Sequence, residues 1–406
     1  MAPPAILCQT VRHVRLPPLL LSIGTLASLG SPALSVRIKK EVVLAYPSNS
    51  GCLVLFAFSY FPPHSSLAPE GFRLSSRSAA MYPVLSLPAL LLASRALAAP
   101  VQPTPYDVSS TMQNILANTD GSNLYTYPTD LTRGIVPKAF HSHNDYWRDV
   151  PFYTAIANGA VSVEADVWLI NGTLYVGHEI SALTTARTLQ SLYLDPIMDT
   201  LKRQNPTTRF VDGSTTKNGV FDTSSGQTVY LWIDLKTDGP STLPAVLSAL
   251  EPLYQAGYLT TTNGKTVKSG PITAIGTGNT PQSYFVPTDP ASADKPRYIF
   301  FDAQLATLNE TANAAITPLI TPIASAQFSA QVGTVVKQKL NDTQLATLRS
   351  QIGYAKSKGI GARYWDTPGW PIGTRNAVWR TLLDEGVALL NADDVYAIAA
   401  FWEASG

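Results

Sequence analysis

Residues 139–180 read AFHSHNDYWRDVPFYTAIANGAVSVEADVWLINGTLYVGHEI. A β-type run near Val136–His141 leads into a helical pattern over Pro151–Asn158 and a second β-type run over Val161–Trp168. An Asn171-Gly172 turn then opens a hairpin-like Leu174–Val176. The alternation continues downstream, with strands predicted near Val229–Lys236, Ile272–Gly276, Tyr298–Asp302, Ile323–Phe328, Gly361–Trp365 and Val387–Asn391. Helical patterns fall at Ser191–Arg203, Leu243–Ala256, Asp342–Lys358 and Arg375–Glu385. Strands alternating with helices predict a parallel sheet, and eight such strands predict an α/β fold of the (β/α)8 TIM-barrel type over 134–406.

The chemistry of the chain gathers at the C-terminal ends of those strands. His141, Glu164 with Asp166, Asp234 with Lys236, Asp302, Asp366 and Asn391 all sit there, and that rim is where barrels of this kind build active sites. Of five histidines, only His13 and His64 lie outside the window quoted above. Glu164 and Asp166 are two apart on a strand, so their side chains share one face. Asp234, at the end of the next strand, offers a third oxygen. Three carboxylates without cysteine favour Mg²⁺, with Ca²⁺ or Mn²⁺ as alternatives, over Zn²⁺. His141 and His178 are the candidate general base and general acid, because imidazole titrates near working pH. Lys236 points the same way as Asp234 and can hold a phosphate oxygen or damp carboxylate repulsion. His143, Asn144 and Asp145 are expected to position these groups, with His143 the most ambiguous. Trp365 and Trp370 are candidates for an apolar wall of the cleft.

Composition narrows the function. Hydrophobic residues make up 45% of the 406 residues, enough for a sizeable core, and charged residues only 14%. A net charge of +1 with no Lys/Arg run argues against a nucleic-acid partner. Both cysteines, Cys8 and Cys52, precede the body of the chain, which therefore has neither a disulfide framework nor a thiolate metal site.

Residues 81–100, MYPVLSLPALLLASRALAAP, have the shape of a secretory signal peptide, with Ala96-Leu97-Ala98 as the small-x-small cleavage pattern. The expected order is an unstructured, non-globular extension over 1–80 that need not belong to the translated protein, a signal peptide over 81–99, a short segment over 100–133, and the barrel. In a competing reading the apolar stretch 16–36 is an anchor or organellar signal, which Pro17, Pro18 and Pro32 weaken as a spanning helix. No stable transmembrane span is expected in the mature chain. Sequons at Asn171, Asn309 and Asn341 are expected glycan sites on a secreted chain.

Taken together, His141-Ser-His-Asn-Asp, Glu164-Ala-Asp166, His178 and Asp234-Leu-Lys236-Thr resemble the phospholipase C-like phosphodiesterase superfamily, which includes glycerophosphodiester phosphodiesterases and sphingomyelinases D. The AFHSHNDY opening is similar to that of the fungal altered inheritance of mitochondria protein 6 family. The resemblance covers roughly 134–395. It implies a TIM barrel, catalytic roles for His141 and His178, Glu164, Asp166 and Asp234 as Mg²⁺ ligands, and Lys236 as the lysine of an Asp-x-Lys segment. It also implies a small-molecule or lipid phosphodiester substrate, cleaved through a cyclic phosphate or by hydrolysis. Three departures leave the substrate open, the first being that Asn391-Ala-Asp-Asp394 only loosely resembles the terminal segment of sphingomyelinase D relatives. His141-Ser-His143 stands where glycerophosphodiesterases carry His-Arg-Gly, and His178-Glu179 stands for their His-Asp.

Three rival readings are weaker or untested by sequence. A zinc amidohydrolase also opens with His-x-His, but His178 is the one histidine left to serve as a further ligand. A glycosidase needs carboxylates that flank a bond, and Glu164 and Asp166 are too close on one strand. A secreted barrel that binds a lipid or phosphoester without turnover is the non-enzymatic alternative.

Overall fold

The computed structural model describes residues 108–119, 121–211, 216–286 and 296–404, together with the backbone of four N-terminal strands. The chain divides into two units, Met1–Ala98 and Ala99–Gly406.

The second unit is a mixed α/β body built on a curled parallel sheet. Its strands are β1 (Lys138–Ser142), β2 (Ala160–Ile170), β4 (Val229–Leu235), β5 (Ile272–Gly278), β6 (Ile299–Phe301), β7 (Ile323–Gln327), β8 (Gly361–Trp365) and β9 (Leu389–Ala392). They follow the order β6-β5-β4-β2-β1-β9-β8-β7, so the first and last strands lie side by side. The short β3 (Thr173–Val176) folds back antiparallel on β2 through a turn with Asn171 and Gly172 both at positive φ, the geometry that an Asn-Gly pair favours. Between β6 and β7 the backbone contact is a bridge from Gln304 to Ser325 rather than a ladder.

The strands are apolar on one side of the pleat and mixed on the other. Along β2, Val161, Val163, Ala165 and Val167 are buried among the core side chains, while Ser162, Glu164 and Asp166 occupy the alternate positions. Parallel strands bury both faces, so polar side chains on the second face must find partners inside the protein.

The helices are α1 (Ser110–Thr119), α2 (Tyr153–Ala157), α3 (Asp195–Gln204), α4 (Gly239–Gln255), α5 (Phe328–Gln331), α6 (Asp342–Ser357), α7 (Ile372–Asp384) and α8 (Val395–Glu403). Local signals fix several starts. Asn341 and Gln344 form a reciprocal capping box on α6, and the Asp238 and Asp394 side chains cap α4 and α8. The Asp238 cap explains why α4 begins at Gly239 rather than at the expected Leu243.

The strand pattern read from the sequence is found with shifts of one or two residues at most ends. Each of the five helical patterns read from the sequence is met by a helix, and the stretches between β5, β6 and β7 are those where the sequence carries no helical pattern. Among the described residues, β5 and β6 are followed by 3-10 turns such as Gln282–Tyr284, Leu305–Thr307 and Thr311–Asn313. These connections are rich in Asn, Thr and Pro, which favour local turns over helix propagation.

In the first unit, strands Ile23–Thr25, Leu34–Ile38, Glu41–Pro47 and Leu53–Ser59 pair successively as an antiparallel meander. Within the extension expected to be non-globular, these four strands coincide with short β-branched and aromatic runs such as Val42-Val43 and Phe56-Ala57-Phe58, which supply strand propensity. The signal-peptide segment 81–99 lies outside the described residues. Among the described residues, no helix is long and apolar enough to cross a membrane.

Candidate active site

Strand register builds the site. Parallel pairing sets Asp166 opposite Asp234 across β2 and β4, while Glu164 lies two residues back on the same face. Oxygens of Glu164, Asp166 and Asp234 fall within 4.8 Å of one another. The Lys236 ammonium lies 2.9 Å from Asp166 Oδ2 and 2.8 Å from Asp234 Oδ2. Gly278, at the end of β5, makes room for this arrangement. A Cβ there would fall 1.8 Å from Asp234 Oδ1, and its φ of +62° suits glycine.

These groups line a cleft of about 450 Å³ together with His143, Asn144, His178, Thr277, Asp302, Arg363 and Trp365. Trp365 therefore lies where the sequence places it, on the cleft wall. Trp370 is 75% exposed and does not line the cleft. Asp366 accepts hydrogen bonds from Gln327 and Ser329 on the rim, also outside the lining.

The three histidines divide sharply. His141 has no exposed side-chain surface, against 21% for His143 and 47% for His178. The register sets His141 opposite Ser162, and its Nδ1 is 2.7 Å from Ser162 Oγ. Its ring meets Trp232 edge-on at 5.5 Å, and Nε2 stops 3.6 Å short of Glu164 Oε2. Burial, reinforced by the positive charge of Arg363, pushes this imidazole down to about 3. His141 is thus a neutral group beneath the cleft.

His143 is the ring that reaches the cleft. Pairing of Ser142 with Ala392 carries the next residues, His143 and Asp393, opposite each other. His143 Nδ1 is 2.7 Å from Asp393 Oδ1, and Nε2 is 3.7 Å from Glu164 Oε2. Burial works to lower its pKa, but the Asp393 hydrogen bond and the charge of Glu164 outweigh it and raise the imidazole above its ordinary value. His178, on the connection after β3, turns Nδ1 toward Asp166 Oδ2 at 3.3 Å and Tyr146 Oη at 3.1 Å. Tyr146 donates to Asp166 across 2.7 Å.

Asn144 has left-handed backbone (φ 50°), and its N–H donates to Glu164 Oε2 at 2.9 Å. Asp145 faces away from the cleft. It accepts from Ser142 Oγ at 2.6 Å and from the Phe152 N–H at 2.7 Å, pinning the loop that follows β1.

The donor set suits a hard cation. All three neighbours are carboxylates, the ligands that Mg²⁺ and Ca²⁺ prefer. Burial, then the charges of Glu164 and Asp234, raise Asp166 to about 6 despite Lys236. A carboxylate held so high marks a place short of positive charge. For Glu164, burial is overcome by His141, His143 and Arg363, which hold it below the ordinary carboxylate range.

Sequence reading missed four contributors. Tyr146 and Asp393 were hidden because their partners are distant in sequence or read as loop. Asp302 was noted on the rim but given no role; burial raises it to about 6. Arg363 is the fourth. A lone arginine inside the apolar strand GARYW was the available signal.

A domain family described as AIM6-like phosphodiesterase domain matches residues 129–302. That span contains the three carboxylates, Lys236 and all three histidines of the site region, so fold and site together define an α/β domain of phosphodiesterase type. Relatives extend the match. An altered inheritance of mitochondria protein 6 homolog from Arthroderma benhamiae is 54% identical over 323 residues, covering 77% of this chain and 99% of that protein. The altered inheritance of mitochondria protein 6 of Candida glabrata is 33% identical over 299 residues, covering 67% and 72%. The Saccharomyces cerevisiae protein of the same name is 30% identical over 280 residues, covering 66% and 71%. The chain belongs to the altered inheritance of mitochondria protein 6 family. No solved structure matches it significantly.

Proposed function

We propose that the cleft is a metal-dependent phosphodiesterase site acting on a phospholipid or glycerophosphodiester head group. One observation carries this reading: an all-oxygen carboxylate triad and two solvent-reaching imidazoles share one cleft. Glu164, Asp166 and Asp234 would hold Mg²⁺, or in its place Ca²⁺ or Mn²⁺. Such a cation offsets phosphate charge and polarises the phosphoryl group. Lys236 neutralises the excess carboxylate charge beside it.

The acid/base pair is His143 with His178. His143 Nδ1–H donates to Asp393, leaving Nε2 toward the cleft with a proton to give to the leaving oxygen. His178 Nδ1 is engaged by Asp166 and Tyr146, which leaves Nε2 to take the proton of the attacking hydroxyl. As the new O–P bond forms, the bond to the leaving oxygen breaks. A substrate hydroxyl as nucleophile gives a cyclic phosphate, and water gives the monoester. His141, expected from sequence to be the base, instead supports Glu164 and Ser162 from below.

The same proposal includes complete (β/α)8 closure through the Gln304–Ser325 bridge, and secretion by way of 81–99. The sequon residues Asn171, Asn309 and Asn341 are exposed and so accessible to glycosylation. Head-group release from lysophospholipids and glycerophosphodiesters, titrated with Mg²⁺ and reversed by EDTA, tests the catalytic reading. Turnover that survives EDTA would overturn the metal assignment.

A further inference from the structure

Arg363 is a buried cation whose charge acts on the cleft carboxylates Asp302, Glu164 and Asp234 without a close ion pair to any of them. Its residue is 3% exposed, yet it lines the cleft. The guanidinium stacks 4.4 Å over the Trp232 ring, and Nε donates to Asn391 Oδ1 at 3.1 Å. Nη1 is buried and has no hydrogen-bond partner. Among the described residues, no carboxylate forms an ion pair with Arg363 within 4.0 Å, although Lys236 beside the same cleft forms two.

That combination is costly unless something completes it. A buried charge is normally paired and its donors satisfied, and an unmade hydrogen bond to a charged group is expensive. Asn391 and the Trp232 face hold one edge of the guanidinium in place, so the fork is set before a ligand arrives. Arginine presents planar paired donors that match the oxygens of a phosphate, while the ammonium of Lys236 is already consumed by Asp166 and Asp234. The strand register also sets Arg363 opposite Ser325, another cleft-lining residue with a buried hydroxyl, beside Asp302.

We infer that Arg363 is the anion anchor of the cleft, binding the non-bridging phosphoryl oxygens of the ligand. The inference rests on the phosphodiesterase reading for its substrate, but the anchor itself requires only a phosphoryl anion. Arg363 thereby becomes a specificity-determining residue for charged phosphoryl groups, with Ser325 as its neighbouring hydroxyl donor.

Calorimetric titration of the full chain with inorganic phosphate and with glycerophosphocholine, each with and without Mg²⁺, tests this, with choline, which has no phosphoryl group, as the control. Wild type is expected to bind both phosphoryl ligands and to ignore choline. Arg363→Lys should weaken both by roughly 10-fold or more, and Arg363→Gln by roughly 100-fold, while Mg²⁺ affinity measured alone changes little. Under turnover the loss should fall on KM more than on kcat for Arg363→Lys. Thermal unfolding run in parallel separates a folding defect, and Ser325→Ala supplies a milder variant expected to weaken phosphate by a few-fold. Equal phosphate affinity in wild type and folded Arg363→Lys overturns the anchor, as does absence of phosphate binding to wild type. Arg363-dependent phosphate binding without turnover of any phosphodiester supports the anchor and counts against the phosphodiesterase reading alone.

Discussion

His143 Nδ1 and Asp393 Oδ1 stand 2.7 Å apart across the join between the first and last strands. They are 250 residues apart in sequence, and the pairing of β1 with β9 brings them together. A carboxylate on Nδ1 fixes the tautomer and aims Nε2, as in other imidazole-based sites. Asp393→Asn is therefore expected to lower kcat by about 100-fold with little change in KM, and His143→Ala by about 100-fold to 10,000-fold. Steady-state kinetics on a cleaved phosphodiester checks both. Full activity in His143→Ala would remove His143 from the chemistry.

The buried His141 should behave differently. His141→Ala removes a ring packed on Trp232 and leaves Ser162 without its 2.7 Å partner. The expected cost is about 2–4 kcal/mol of stability, read as a fall of roughly 5–15 °C in Tm. A variant that melts with wild type but has lost all turnover would return His141 to a catalytic role.

Metal binding should depend on pH through Asp166. Burial and the neighbouring Glu164 and Asp234 raise it to about 6, so below that pH a proton occupies the carboxylate that a cation needs. Mg²⁺ affinity is expected to fall as pH drops from 7 to 5. The sign for the metal-free fold is opposite. A carboxyl raised in the folded state contributes stability that is complete below its ordinary value of 3.8 and is lost as pH climbs through about 6. Without metal, this contribution makes the fold lose stability as pH rises from 5 to 7, and added Mg²⁺ should restore stability at pH 7. Calorimetry and thermal melts across this range check both signs.

Gly278 gives a structural test of the triad. A methyl group there meets Asp234 Oδ1 at 1.8 Å on backbone at φ +62°. Gly278→Ala must move that carboxylate, and Mg²⁺ affinity should drop by about 10-fold to 100-fold. Unchanged affinity would mean that Asp234 is not a ligand.

The strands and the carboxylate triad were legible because both depend on local periodicity. Glu164 and Asp166 share a face by the two-residue repeat of a strand, and apolar runs flanking them mark the core. The choice between His141 and His143 was not legible. They are two residues apart, the spacing that shares a face on a strand, and only the depth of each ring in the fold, set by Ser162 below and Asp393 above, separates them. Asp393 and Arg363 were missed for a related reason: each acts on partners from other strands, and local pattern carries no register. The connections after β5 and β6, where the sequence showed no helical pattern, are held in turns by Asn, Thr and Pro.

The most direct test follows the phosphorus. ³¹P NMR of a glycerophosphodiester and a lysophospholipid, incubated with the protein and Mg²⁺, should show conversion to a cyclic phosphate or phosphomonoester. Conversion should stop with EDTA and be lost in Glu164→Gln and Asp166→Asn. Persistent substrate with folded, Mg²⁺-loaded wild type across the panel, or undiminished conversion by both carboxylate variants, would contradict the assignment of this cleft as a metal-dependent phosphodiesterase site.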